Sequence, residues 1–176
     1  SLLSLQGLEA LETVGKGFYL KDNDSLAELD TLTTLGWIGG GITIEGHAEL
    51  AQVDGLSGLS GVSGESILVK ANDELLNLDG FANVTGHVTG LAIVKNPVLV
   101  DIEGLGGLHG VTGYLNLDDN DSLVSLAGLE GLLSVGDLIV KNHASLESIT
   151  GLENVHSVGG ITISTNNDLV DLDGLG

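Results

Sequence analysis

The sequence predicts an all-β solenoid of seven stacked coils of about 24 residues and a partial eighth, in a single domain that spans residues 1–176. Three observations predict this fold class: a repeat that runs through the whole chain, seven apolar positions in every coil, and one short apolar–polar alternation in each coil. Because the pattern is already in progress at Ser1 and an eighth coil opens at Asp168, we expect the domain to be a fragment of a longer protein.

The repeat recurs at a nearly fixed spacing. Each coil follows the pattern S-L-x-x-L-x-G-L-x-x-L-x-x-V-x-G-x-L-x-I-x-x-N-x, and successive coils begin 23 to 25 residues apart, at Ser1, Ser25, Glu49, Glu74, Val98, Ser122 and Ser145. The seven complete coils contain 49 apolar positions, of which 48 hold an aliphatic residue or phenylalanine. The exception is His87. Such regularity predicts one continuous aliphatic core.

Only the last two apolar positions of each coil have the two-residue spacing of a β-strand. Ile42 and Ile44 form one such pair, and Ile161 and Ile163 form another. The other apolar positions are three or four residues apart, which fits neither a long helix nor a long strand. One strand per coil, stacked about 4.8 Å from the next, predicts a continuous parallel sheet.

A glycine precedes the third apolar position in every coil except the second, where Thr31 takes its place. We interpret this glycine as a corner that needs either a positive φ or a close backbone approach.

A polar residue follows the strand of each coil at a constant distance, and it is usually asparagine. We expect these side chains to point inward and to bond the turn backbone and one another as a ladder, in which the two histidines replace asparagine. The ladder positions are Asn23, His47, Asn72, Asn96, Asn120, His143 and Asn166.

The segment S-L-E-S-I-T-G-L-E-N-V-H-S-V-G-G-I-T-I-S-T-N-N at 145–167 resembles the receptor L-domain repeat, a relative of the leucine-rich repeat. The resemblance covers the whole chain and implies a right-handed parallel β-helix. The family includes the ligand-binding L domains of the insulin and epidermal growth factor receptors and many microbial surface proteins. Animal L domains carry flanking cysteines and irregular coils, and this chain has neither. The resemblance therefore favours a microbial protein that is secreted or displayed on the cell surface.

The composition excludes several classes of function. The formal net charge is -20, from 25 acidic residues against five lysines, so we expect no nucleic-acid partner. No apolar run approaches the roughly 20 residues of a membrane span, so we expect no membrane insertion. Zero cysteines exclude a disulfide framework, a thiolate zinc site and a cysteine nucleophile. Since no catalytic motif is in register with the repeat, we expect neither an enzyme nor a cofactor.

An acidic residue stands before the corner position in four successive coils, at Asp30, Asp54, Asp79 and Glu103. Stacked carboxylates repel one another, so this acidic column is either solvated or bridged by calcium. Both interpretations remain open at this stage.

A candidate binding face lies on the outer side of the sheet. The outward strand position includes Tyr19, Leu68 and Ile139, and a lysine directly follows three strands. Four of the five lysines therefore gather along one sheet edge, away from the acidic column, which predicts segregated charge and an interaction surface. The alternative is that lysine only protects the sheet surface and balances local acid. The candidate residues are Tyr19, Lys21, Leu68, Lys70, Ile139 and Lys141.

From these observations we expect an extracellular or cell-surface scaffold that binds a protein or a glycan, as in adhesion. The alternative is a structural segment of a surface fibre or stalk that associates with itself end to end.

Overall fold

In the computed structural model, which describes residues 1–63 and 65–175, the chain forms an all-β solenoid made almost entirely of parallel sheet. The described residues form ten strands: β1 (Thr13–Val14), β2 (Phe18–Lys21), β3 (Trp37–Ile38), β4 (Ile42–His47), β5 (Gly61–Val62), β6 (Ile67–Asn72), β7 (Gly86–Val94), β8 (Leu108–Asp118), β9 (Ser134–Lys141) and β10 (Ser157–Ser164). Seven of them, one from each repeat, form the main sheet in the chain order β2-β4-β6-β7-β8-β9-β10. The predicted fold class is confirmed.

The strand pairs are in register with the sequence repeat. Phe18 lies beside Ile42, Ile42 beside Ile67, and Ile67 beside Leu91. Each of these residues has an aliphatic or aromatic neighbour on the next coil. Equivalent positions of the repeat therefore stack on one another, and the inward side chains form one core. Leu50, Val53, Leu56 and Leu59, for example, are fully buried within a single coil.

The strands lengthen along the chain. The first three coils place a separate two-residue strand before the main one, so that β1, β3 and β5 form a small second sheet. In later coils the short strand and the main strand are continuous, and β8 reaches 11 residues. The sequence predicted only the short alternating pair.

One core assignment is wrong. Register shifts between β7 and β8 occur at Gly86/His87 and at Val88/Gly90. Val88 is consequently buried in the position expected for His87, and His87 is exposed. A one-residue irregularity of this kind moves a side chain to the other face of a strand.

The corner preceding the third apolar position takes two forms. Coils two to five have a single 3₁₀ turn there, at Asp30–Leu32, Asp54–Leu56, Asp79–Phe81 and Glu103–Leu105. In coils one, six and seven the glycine instead has a positive φ, and its N–H donates to a glutamate two residues later. Gly7 and Glu9 are such a pair, at 3.0 Å, and hydrogen bonds from the N–H groups of Gly7 and of Glu9 itself lower the pKa of the Glu9 carboxyl.

The corner glycine is required by the backbone of the preceding coil. A Cβ at Gly80 would overlap the carbonyl oxygen of Val53, and a Cβ at Gly55 would overlap that of Leu29. Close stacking of the coils therefore selects glycine at this position even where φ is negative.

Some core positions of the terminal coils are open to solvent, since Leu2 and Ile161 are 47% and 56% exposed, whereas others, such as Leu5 and Leu152, are buried. Within the described residues no helix is long and apolar enough to cross a membrane.

Candidate functional site

The outer face of the main sheet carries three rows of residues, and each row has one residue from every coil. The glycine row contains Gly17, Gly41, Ser66, Gly90, Tyr114, Asp137 and Gly160. The middle row contains Tyr19, Thr43, Leu68, Ala92, Asn116, Ile139 and Thr162. The charged row contains Lys21, Glu45, Lys70, Val94, Asp118, Lys141 and Ser164.

Acid and base alternate within the charged row. The Glu45 carboxylate accepts from Lys21 at 2.9 Å and from Lys70 at 2.8 Å, and it thereby bridges three coils. Lys141 pairs with Asp118 at 3.2 Å. Hydrogen bonds from Lys70 and then Lys21 lower the pKa of the Glu45 carboxyl. The predicted segregation of charge is therefore wrong for this row, because each of its three lysines has a carboxylate on the adjacent strand.

Lys95 does not belong to the charged row. It follows Val94 with a φ of 58°, in the left-handed region, and so it lies in the turn beyond the strand. Only three of the four lysines expected along this edge share a row.

A shallow groove of about 380 Å³ lies on the sheet face between Tyr19 and Tyr114, which are the two tyrosines of the chain. The ring of Tyr19 lies across Gly17, and the ring of Tyr114 lies across Gly90 of the preceding coil. Glycine makes both arrangements possible, because a Cβ at either position would collide with the ring. Tyr19 and Tyr114 remain 64% and 41% exposed. They form the two ends of the groove.

The groove is lined between the two rings by both polar and aliphatic groups. Thr43, Ser66 and Leu68 are among its lining residues, together with Glu65. The Glu65 carboxylate accepts from the N–H of Gly41 at 2.9 Å, which fixes one of its oxygens at the wall of the groove. Apolar rings, hydroxyl groups and one carboxylate therefore converge on the same space.

The sequence predicted a binding face on the outer side of the sheet, but it did not include Tyr114 among the candidate residues. The sequence did contain a signal for Tyr114, namely the glycine at the equivalent position one coil earlier, Gly90. An aromatic ring can pack over a glycine on the neighbouring strand because glycine has no side chain. Of the predicted face residues, the structure brings Tyr19, Lys21, Leu68 and Lys70 together at the N-terminal half of the sheet. Ile139 and Lys141 lie on the same face in β9, three strands away from β6.

The predicted ladder residues lie at the C-terminal ends of the main-sheet strands or two residues beyond them. His47, Asn72, Asn96, Asn120 and His143 are fully buried, whereas the two terminal members, Asn23 and Asn166, are half-buried. The Asn96 Oδ1 accepts from the N–H and the Nδ2 of Asn72, both at 3.2 Å, and the Asn96 Nδ2 donates to the Val69 carbonyl at 3.2 Å. Each such amide joins its neighbours on the stack.

The two buried histidines bond as asparagine does. We assign the ring hydrogen of His47 to Nε2, because Nε2 faces the Leu20 carbonyl at 3.3 Å and the N–H of Asn23 approaches Nδ1 at 3.2 Å. His143 repeats the arrangement with Leu117 and Asn120, at 3.3 Å in each case. Both ring nitrogens of each histidine are thus used by the fold.

The acidic column of Asp30, Asp54, Asp79 and Glu103 is exposed, and each of these residues begins one of the 3₁₀ turns. Within the described residues no group of three or more histidine, aspartate or glutamate side chains could hold a metal ion. The calcium interpretation therefore has no coordinating set in this column. Elsewhere, the rings of His87 and His109 approach edge to face with their centroids 6.3 Å apart.

Comparison of the chain with protein-family models, with curated proteins and with solved structures gives no match.

Proposed function

We propose that the chain is a non-catalytic binding scaffold of the cell surface, related to the receptor L-domain repeats, and that its ligand binds the outer face of the main sheet. The observation that carries this proposal is the groove between Tyr19 and Tyr114. Large exposed aromatic side chains beside a few convergent polar groups are typical of recognition sites.

The rigidity of the face supports the same role. Below the groove, β4, β6 and β7 are paired on both sides and the edge strand β2 is paired with β4, while the ladder and the core hold their register, so the groove is formed before the ligand arrives. A preformed surface avoids much of the ordering entropy that otherwise opposes binding. The acidic composition and the absence of cysteine are compatible with a secreted microbial protein.

The proposal is tested by blocking the face. Leu68→Lys places a long charged side chain in the middle of the groove, while Leu133→Lys makes the same change at a side chain that is 55% exposed and lies outside the groove. Each variant is measured, with the wild type, against immobilised polysaccharides and extracellular matrix proteins by biolayer interferometry. Binding that is lost in Leu68→Lys and retained in Leu133→Lys supports the proposal. Equal binding by both variants, or no binding by the wild type, contradicts it.

The structural alternative, end-to-end self-association, has no comparable observation in its favour. Exposed core positions at the terminal coils, such as Leu2 and Ile161, are what any segment of a longer stack presents.

A further inference from the structure

We infer that the groove between Tyr19 and Tyr114 binds an uncharged oligosaccharide; this inference rests on the proposed function and specifies its ligand.

Each tyrosine offers an apolar surface with a polar tip. A pyranose sugar has one face made largely of C–H groups and an edge of hydroxyl groups, so that face packs on an aromatic ring while the edge remains hydrogen-bonded. Tyr19 and Tyr114 are the exposed aromatic residues among those that line the groove. Atoms of the two rings come close enough to Gly17 and Gly90 to exclude a Cβ there.

The separation of the two rings sets the length of the ligand. Gly17 and Gly90 occupy the same row in the first and fourth coils, so they are three strand spacings, about 14 Å, apart. A single organic cation must lie within about 6 Å of each ring that it contacts, and it cannot bridge this distance. A chain of several linked sugar rings can place one ring on each tyrosine. The volume of about 380 Å³ lies in the range of small-ligand sites.

The groups between the rings suit hydroxyl partners. Thr43 and Ser66 contribute hydroxyl groups that both donate and accept, and the carboxylate of Glu65 accepts. Sugar hydroxyls also donate and accept, so they match this mixture without requiring a charged partner.

Charge argues against an acidic ligand. Lys21 and Lys70 border the face, but both are paired with Glu45, and Glu65 adds a negative charge at the groove itself. The chain as a whole carries -20. A peptide that binds as an added strand would pair along the free edge of β2, whereas this groove extends across the face from β2 to β8.

The experiment is a titration of the chain with neutral tetrasaccharides, namely cellotetraose, maltotetraose, xylotetraose and mannotetraose, by calorimetry and saturation-transfer NMR, with tetragalacturonate as the acidic comparison. We expect at least one neutral sugar to bind and tetragalacturonate to bind more weakly. Tyr19→Ala and Tyr114→Ala should each weaken binding about ten-fold, because each removes one stacking surface. Tyr114→Phe keeps the ring and should change the affinity less than about two-fold. Trp37→Ala, which removes a 46% exposed aromatic residue from the second sheet, is the control and should bind like the wild type.

Three results would overturn the inference: no titration with any neutral sugar, a preference for tetragalacturonate, or binding that survives in the Tyr19→Ala/Tyr114→Ala double variant. If Leu68→Lys abolishes binding to an immobilised protein while no sugar binds, the inference fails and the proposed binding role of the face stands. If no ligand of either kind depends on the face, both fail.

Discussion

The ladder residue at the end of each main-sheet strand, or two residues beyond it, decides whether the next turn can be buried. Asn120 accepts two hydrogen bonds from Asn96, at 3.0 and 3.2 Å, and donates to the Ile93 carbonyl at 2.9 Å. These groups have no access to water, so each bond removed leaves an unsatisfied polar atom in the interior. The ladder therefore stabilises the fold chiefly by preventing that penalty.

We expect Asn120→Ala to lower the free energy of unfolding by about 1–3 kcal/mol, because it strands the Asn96 amide groups and the Ile93 carbonyl. Asn154→Ala, which removes an exposed asparagine whose Nδ2 donates to the Glu130 carbonyl, should cost less than about 0.5 kcal/mol. Urea unfolding followed by circular dichroism measures both. Equal small losses in the two variants would show that the ladder contributes nothing beyond a surface hydrogen bond.

A second residue-scale feature is the left-handed backbone position directly before each ladder residue. Every complete coil has a positive φ there, and six of these residues are not glycine: Asp22, Ala71, Lys95, Asp119, Asn142 and Thr165. Only Gly46, in the second coil, takes this conformation without steric cost.

Ala71→Gly should therefore raise the free energy of unfolding by about 0.5–1 kcal/mol, since the strain at its φ of 53° is relieved. Ala144→Gly is the matched control, because Ala144 is exposed and is not among the residues with positive φ. There glycine only increases the entropy of the unfolded chain, and we expect a loss of up to about 1 kcal/mol. Opposite signs in the two variants, measured by thermal unfolding, identify strain as the cause.

At the scale of the element, the corner and the strand rows determine how closely successive coils approach. The corner glycine allows one coil to rest on the carbonyl oxygen of the coil before it. In the charged row, Glu45 connects β2, β4 and β6 through its two lysine partners.

Gly80→Ala should destabilise the protein by about 2 kcal/mol or more, because its Cβ would overlap the Val53 carbonyl and would force two coils apart. Gly36→Ala is the control, since the nearest atom to its Cβ would be 3.9 Å away. Chemical denaturation compares the two variants. A Gly80→Ala protein as stable as Gly36→Ala would mean that the coils can separate at this corner without loss.

The Glu45 pairs predict a pH dependence. Because the folded-state pKa of Glu45 is lowered, its ionised form stabilises the fold at pH values above the unfolded pKa of about 4.3, and the contribution is lost as the pH falls through the lower folded pKa. We expect the free energy of unfolding of the wild type to exceed that of Glu45→Gln by up to about 1 kcal/mol at pH 7. This difference should vanish in acid and decrease in high salt. Glu49→Gln, at an exposed position on another side of the coil, is the comparison. An unfolding difference between wild type and Glu45→Gln that does not change from pH 7 to pH 3 would contradict this assignment.

For the whole molecule, the sequence predicted the core and ladder positions that recur in every coil. It did not predict the features that depend on contacts between two particular neighbouring coils. Leu56 and Asn120 could be assigned because their positions recur in every coil. His87 could not, since an irregularity between two strands exchanged it with Val88. Tyr114 was missed because its role depends on Gly90, a contact between coils that no single repeat contains. Glu45 was within reach of the repeat alignment, as it stands between Lys21 and Lys70 in the same column.

The replacement of asparagine by His47 removes a side-chain hydrogen bond at one interface of the ladder, and we expect the stack to divide into folding units there. In the run Asn72–Asn96–Asn120 the side chains bond directly to one another, but His47 uses its only ring hydrogen on Leu20, and within the described chain the buried Asn72 Oδ1 has no partner. In a nearest-neighbour description of a repeat protein, a weaker interface is where cooperativity breaks. Amide hydrogen exchange should then show residues 1–47 opening together at a lower free energy than residues 67–120. His47→Asn supplies a second N–H for Asn72, so in that variant the two segments should exchange as one unit.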